Sequence, residues 1–308
     1  MMLYSVLNTM LQVIVPISIP VISGALLKRF QKLDTRPLVT LYLYFLNPAL
    51  ILETLAKADI SYQDIYQTLG FSLLNLILLW LVAAVAGRLL KLPSDEKAGL
   101  TLVATFTNSV NYGLPLVLLA FGQLGLDKAS VYVIGQMIIV NTIGVYLAAR
   151  SSFSMKQAVK SVFTLPSIYA AAAAILLRAT GFSLPFGIAQ GISMAAAAYS
   201  PVVLAILGAQ MVGVAGVPMN AGSKRAFRAG IATRMLLSPI VALLALWLLQ
   251  IDGVLFAVLF ILACMPAAVN ASALAEKFGA SPQTVSKCVL WTTIASFVTL
   301  PVLIVLLQ

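Results

Sequence analysis

Two apolar stretches carry side chains able to hold a ligand inside a membrane. One reads Thr105-Phe-Thr-Asn-Ser-Val-Asn-Tyr-Gly-Leu-Pro115, placing Asn108, Asn111, Gly113 and Pro115 near the middle of a long apolar run. The other reads Cys264-Met-Pro-Ala-Ala-Val-Asn270, again with a proline, Pro266, and an asparagine at mid-run. Glycine and proline interrupt the helical hydrogen-bond ladder, and backbone groups freed in hydrocarbon cost several kcal/mol each unless side chains, water or a ligand satisfy them. If each break starts a new half-helix, Pro115 and Pro266 suit its first turn, where a missing N–H costs nothing. Two half-helix N-termini would then meet from opposite sides, each with about half a positive charge and free N–H donors, a setting for an anion. At about 0.3–2 kcal/mol per terminus the dipoles offset only part of a carboxylate's desolvation, so the expected ligand is a small carboxylate bound with modest affinity. Asn47 and Gln136, also within apolar runs, are supporting candidates. The plainer alternative for these amides is kink repair or an interhelical hydrogen bond.

The chemistry that is missing narrows the choice further. The chain has no histidine, which removes Ser-His dyads, His-Asp triads and HExxH zinc sites. Its two cysteines, Cys264 and Cys288, sit singly in apolar runs, so neither a metal site nor a disulfide framework is expected, and no cofactor is called for. No carboxylate lies at the centre of an apolar run, which disfavours a protein-side proton relay. An intramembrane enzyme lacks an acid-base or nucleophile constellation. An anion channel and a carboxylate-binding membrane sensor remain open beside a carrier.

These residues need elements to position them. Of 308 residues, 61% are hydrophobic and 9% charged, whereas soluble domains carry about a quarter charged residues. The chain is therefore an integral membrane protein. A core of about 30 Å takes about 20 helical residues to cross. Ten segments meet this: Val6 to Leu27, Pro37 to Leu55, Leu69 to Leu90, Gly99 to Phe121, Ser130 to Ala149, Thr164 to Thr180, Ile188 to Val212, Ala229 to Leu249, Val254 to Phe278 and Thr284 to Leu307. Basic residues alternate with them. The connections after the odd segments hold sixteen of the nineteen Lys and Arg, with Lys224, Arg225, Arg228 and Arg234 assigned to the one after the seventh; the even connections hold only Lys57, Lys128 and Arg178. The positive-inside rule then puts odd connections in the cytoplasm and both termini outside. The net charge of +10 is thus a topology signal, and nucleic-acid binding is not expected.

The longest connection, residues 151–163, divides the chain into a first repeat, 1–150, and a second, 164–308. Five segments per half is an odd number, so the second half enters inverted, as in many secondary transporters. Interrupted segments at corresponding places of such halves point to the binding site.

Asn108 with Gly113-Leu-Pro115-Leu, Asn47-Pro48, Met265-Pro266-Ala-Ala-Val-Asn270 with Leu274-Ala-Glu276, and the terminal Leu300-Pro301 together resemble the auxin efflux carrier family over nearly the whole chain. That family includes plant PIN auxin exporters and bacterial permeases assigned to malate or malonate. The resemblance implies an all-α fold of ten transmembrane helices in a five-plus-five inverted repeat, with crossing, interrupted fourth and ninth helices. It implies a scaffold of helices 1, 2, 6 and 7, a transport domain of the other six moving in an elevator-like cycle, and a homodimer through the scaffold. Asn108 matches the family's substrate-contacting asparagine, Pro115 and Pro266 the crossover prolines, and Gln136 a fifth-helix glutamine near the site. Asn270 and the short central connection match bacterial members. The expected location is the cytoplasmic (inner) membrane of the cell.

Overall fold

A computed structural model describes residues 2–57, 61–144, 146–147, 163, 166–212, 214 and 219–307. The central connection expected over 151–163 lies outside the described residues except for Phe163, as do Arg150, Lys156 and Lys160. The described chain is all-helical, and its β-type pairing is a single isolated bridge, Thr107 with Ala267. In chain order the elements are α1 (Val6–Gln31), α2 (Arg36–Ala56), α3 (Tyr62–Leu89), α4 (Ser94–Thr105), α5 (Ser109–Gly144), α6 (Pro166–Thr180), α7 (Phe186–Met211), α8 (Ala221–Leu248), α9 (Gly253–Ala263), α10 (Val269–Phe278) and α11 (Pro282–Leu307). Among the described residues, seven of these (α1, α2, α3, α5, α7, α8 and α11) are long and apolar enough to cross a membrane, and α6 and α9 are shorter apolar helices.

Several boundaries differ from the hydropathy reading, each for a local reason. α3 begins at Tyr62 rather than Leu69 because Ser61 and Asp64 form a capping box: the Ser61 N–H donates to the Asp64 carboxylate at 2.7 Å, and the Asp64 N–H donates to Ser61 Oγ at 3.1 Å. α8 begins at Ala221 rather than Ala229, since Asn220 Oδ1 accepts the Ser223 N–H at 2.8 Å and the basic first turns are helical although not apolar. The expected fourth and fifth segments meet directly at Gly122, whose φ of +65° and ψ of −160° turn the chain without a loop. Only glycine adopts that conformation cheaply. The second arm of α5 thus starts at residue 123, ahead of the expected Ser130.

The connections sort into two groups. Glu96, at the start of α4, accepts from Ser223 Oγ at 2.5 Å in the first turn of α8 and from Thr284 Oγ1 at 2.9 Å in the first turn of α11. Arg225 donates to the Leu90 carbonyl at 2.9 Å. The links between α3 and α4, α7 and α8, and α10 and α11 therefore share one end, which carries Lys91, Lys97, Lys224 and Arg228. At the other end Lys128 pairs with Asp64 at 2.8 Å, and Arg178 donates to the Leu55 carbonyl at 3.4 Å, joining the connections poor in basic residues.

α1, α2, α6 and α7 pack on one another through small residues. Ala171 and Ala174 of α6 are buried against Ile51 and Leu55 of α2. Where α1 crosses α7, a Cβ on Gly24 would come 1.8 Å from the Ala205 carbonyl oxygen, and one on Gly208 would come 1.8 Å from that of Val21. Backbones touch there because neither glycine has a side chain, as in membrane helix pairs generally. Gly208→Leu is accordingly expected to cost about 3 kcal/mol or more, since the neighbour to be displaced is main chain. Thermal unfolding of purified protein in detergent measures it, and a midpoint equal to wild type would refute the close crossing.

Candidate functional site

The two breaks foreseen in the sequence lie against each other. α4 ends at Thr105 and α5 starts at Ser109; α9 ends at Ala263 and α10 starts at Val269. The intervening residues pass antiparallel around the Thr107–Ala267 bridge. The Asn108 N–H donates to the Pro266 carbonyl at 2.8 Å and the Ala268 N–H to the Phe106 carbonyl at 2.9 Å. The Ala267 N–H donates to Thr292 Oγ1 of α11 at 3.1 Å. Three main-chain N–H groups that the breaks expose are thus satisfied by the other break and by α11, as non-helical backbone at membrane depth requires.

Of the two prolines, Pro115 takes a first-turn position, at the second residue of the regular α-helix that starts at Leu114, whereas Pro266 does not. α5 opens with a π-helical stretch, Ser109–Gly113, in which the N–H groups of Tyr112 and Gly113 both donate to the Asn108 carbonyl, and Pro115 follows it at the start of the regular α-helix. Pro266 lies in the extended break itself, where its free carbonyl is what the Asn108 N–H needs. Gly113 faces α9: a Cβ there would stand 2.7 Å from Leu262 Cδ2.

The predicted amides are distributed unequally. Asn108 is 3% exposed, and its Nδ2, like the neighbouring Ser109 Oγ, is buried without a hydrogen-bond partner. Asn111 is buried and bonds the Tyr42 hydroxyl of α2. Gln136 is buried and donates to the Tyr132 hydroxyl at 3.0 Å. Asn47 donates to Ser167 Oγ at 2.9 Å and contacts Met137 Sδ at 3.8 Å, tying α2 to α6 and α5. Asn270, in the first turn of α10, is exposed. The structure therefore brings Asn108 and Pro266 together at the crossing, whereas Asn47, Asn111 and Gln136 are engaged by neighbouring side chains. α7 reaches the crossing through Tyr199, whose hydroxyl donates to the Val110 carbonyl at 3.1 Å.

Arg234 is where the sequence reading fails. Assigned to a connection, it is in fact wholly buried in a π-helical stretch of α8, Thr233–Leu237. Its guanidinium donates to the carbonyls of Val103 (3.2 and 3.1 Å) and Ala104, in the last turn of α4, and at 3.2 Å to the Ala263 carbonyl that ends α9. Ser238, one turn on, accepts from Arg234 at 3.2 Å and donates to Ala263 at 2.9 Å. A cation thus sits at the two half-helix C-termini, where orphan carbonyls and dipoles call for one. The signal was available: the segment Ala229 to Leu249 encloses Arg234, and an ionisable residue inside a span is a functional pointer by default.

Beside the crossing, a cavity of about 200 Å³ lies between the end of α7, α10 and α11, lined among others by Gln210, Val269, Ser272, Glu276 and Ser286. Gln210 Oε1 is buried without a hydrogen-bond partner. Val269 begins α10 directly after the crossing, so the cavity extends from a half-helix N-terminus along α10 towards Glu276.

The family model described as "Membrane transport protein" matches residues 5–304. The chain belongs to that family. It is the auxin efflux carrier family to which the motifs pointed. An "Uncharacterized transporter" of Methanothermobacter thermautotrophicus (strain Delta H) is 27% identical over 302 residues, covering 94% of this chain and 96% of that protein. Membrane transport is thereby the general activity of this family member.

The hydrogen-bonding pattern separates Asn47, whose Nδ2 is bonded across helices, from Asn108, whose Nδ2 is unpaired. Asn47→Ala removes a buried interhelical bond and is expected to cost about 1–2 kcal/mol without any ligand. Asn108→Ala removes an Nδ2 that has no protein partner and should cost less than about 0.5 kcal/mol. Ligand-free thermal unfolding of the two variants checks this; a larger loss for Asn108→Ala would reverse the assignment.

Proposed function

We propose that this family member is a secondary carrier of small organic anions, carboxylates such as malate, malonate or auxin-like acids, with its substrate site at the α4/α5 and α9/α10 crossing. The observation that carries the reading is the buried, unpartnered Asn108 Nδ2 beside Ser109 Oγ, at a place where two half-helices begin. Both atoms can donate, and the helix N-termini add positive potential, so the complement is an anion with acceptor oxygens. Asn270, at the matching N-terminus of α10, is the second contact, with Asn111, Gln136 and Asn47 shaping the surround. The cavity along α10 is the access route.

In this reading the bend at Gly122 divides α5 into the distal part of a fourth span and the whole of a fifth, α4 completes the fourth, and α9 with α10 makes the ninth, giving ten spans. The halves 1–150 and 164–308 are inverted repeats. α1, α2, α6 and α7 form a scaffold, and the rest moves against it in an elevator-type alternating-access cycle; a homodimer is joined through the scaffold. The end gathered around Glu96 faces the cytoplasm, consistent with its basic residues, and both termini lie outside the inner membrane.

Proteoliposomes loaded with labelled malate, malonate, lactate or indole-3-acetate, under an imposed potential, sodium gradient or pH gradient, test the reading. Saturable, gradient-dependent flux of at least one acid is expected, reduced about tenfold or more by Asn108→Ala. Single-channel currents would replace the carrier with a channel, and specific binding without flux under any gradient would replace it with a sensor.

A further inference from the structure

Arg234 is an intramembrane charge with an unusual set of partners. Every hydrogen bond it makes ends on a neutral oxygen: the carbonyls of Val103, Ala104 and Ala263, and Ser238 Oγ. Among the described residues no carboxylate is paired with it. A charge so buried is expensive unless something of opposite sign faces it. Two helix C-termini face it, those of α4 and α9, and each carries about half a negative charge. Together they amount to about one unit, the charge of one guanidinium.

The same oxygens, three carbonyls and a hydroxyl drawn from α4, α8 and α9, are the ligand type that a hard monovalent or divalent cation takes. The π-helical stretch at Thr233–Leu237 re-registers α8 where Arg234 and Ser238 enter this cage together. Such single-turn stretches are frequent at functional sites.

We propose that Arg234 is a resident counter-cation of the crossing. Its guanidinium fills an oxygen cage that would otherwise need a free cation, and it holds the α4 and α9 C-termini together so that the break between them keeps its shape while substrate binds and leaves at the opposite, N-terminal side. Arg234 is a positioning residue: it acts through the two half-helices. For its flux readout the proposal rests on the carrier reading above; for its stability readout it does not.

The experiment is chemical rescue. In Arg234→Ala, flux of the transported acid is expected to fall about tenfold or more, and guanidinium at about 10 mM to restore it along a saturable curve. Urea, nearly the same shape without the charge, should not restore it. Wild-type flux should be unchanged when sodium is replaced by choline. In parallel, the unfolding midpoint of ligand-free Arg234→Ala should rise with low guanidinium while that of wild type does not; this arm needs no substrate, so it decides the matter even if no acid is carried. Should Arg234→Ala fail to fold, Arg234→Lys and Arg234→Gln replace it, with flux and midpoint expected to rank wild type above Lys above Gln. Rescue by urea equal to that by guanidinium, wild-type behaviour of Arg234→Ala, or Gln performing as well as Lys would overturn the proposal.

Discussion

A peptide group in hydrocarbon has no water to turn to, and leaving one unpaired costs several kcal/mol. Interrupting two helices at depth therefore creates a debt of orphan donors and acceptors that only other protein groups or a ligand can meet. Here much of it is met by laying one break on the other: Asn108 to Pro266 and Phe106 to Ala268 on the main chain, Thr292 for the Ala267 N–H, and Arg234 for the last carbonyls of α4 and α9. The rest of the architecture follows from holding these partners in register. α8 must bring a guanidinium, α11 a threonine and α7 a tyrosine to the same place, which is why helices distant in sequence converge there.

The settlement is asymmetric, and the proposed function rests on the asymmetry. At the C-terminal sides of the breaks a charged side chain holds the carbonyls of Val103, Ala104 and Ala263. On the N-terminal sides, Asn108 Nδ2 and Ser109 Oγ keep unused hydrogen-bonding capacity. A pair of crossed half-helices with both ends saturated would be a structural brace. With one side left open it suits the anion site proposed above.

Composition and periodicity made much of this legible. Long apolar runs and scarce charge read as membrane helices, because hydrocarbon tolerates little else, and Gly-Pro interruptions with nearby amides marked the two breaks that the fold brings together. Local main-chain chemistry was less visible. The Ser61–Asp64 cap, the turn at Gly122 and the π-helical openings shift boundaries by several residues, since hydropathy does not register hydrogen bonds. Which amides pair with neighbours also lay beyond the sequence: Asn47 and Asn108 look alike in the chain, yet one meets Ser167 and the other meets no protein group through its Nδ2. Arg234 was hidden by its neighbours Lys224, Arg225 and Arg228, whose clustering made a buried cation read as one more loop charge.

The pairing of Asn108 with Pro266 also bears on how the chain is made. The two partners lie in opposite halves, so when the first break enters the bilayer its counterpart does not yet exist, and at ribosomal rates of about 5–20 residues per second the wait is on the order of ten seconds. Thr292 and Arg234 arrive late as well. Through that interval the groups of residues 106–108 must stay near the interface, against water or the insertion machinery, rather than at their final depth. The first half is thus inserted but unfinished until the second half arrives, and the last helix closes a structure begun by the fourth.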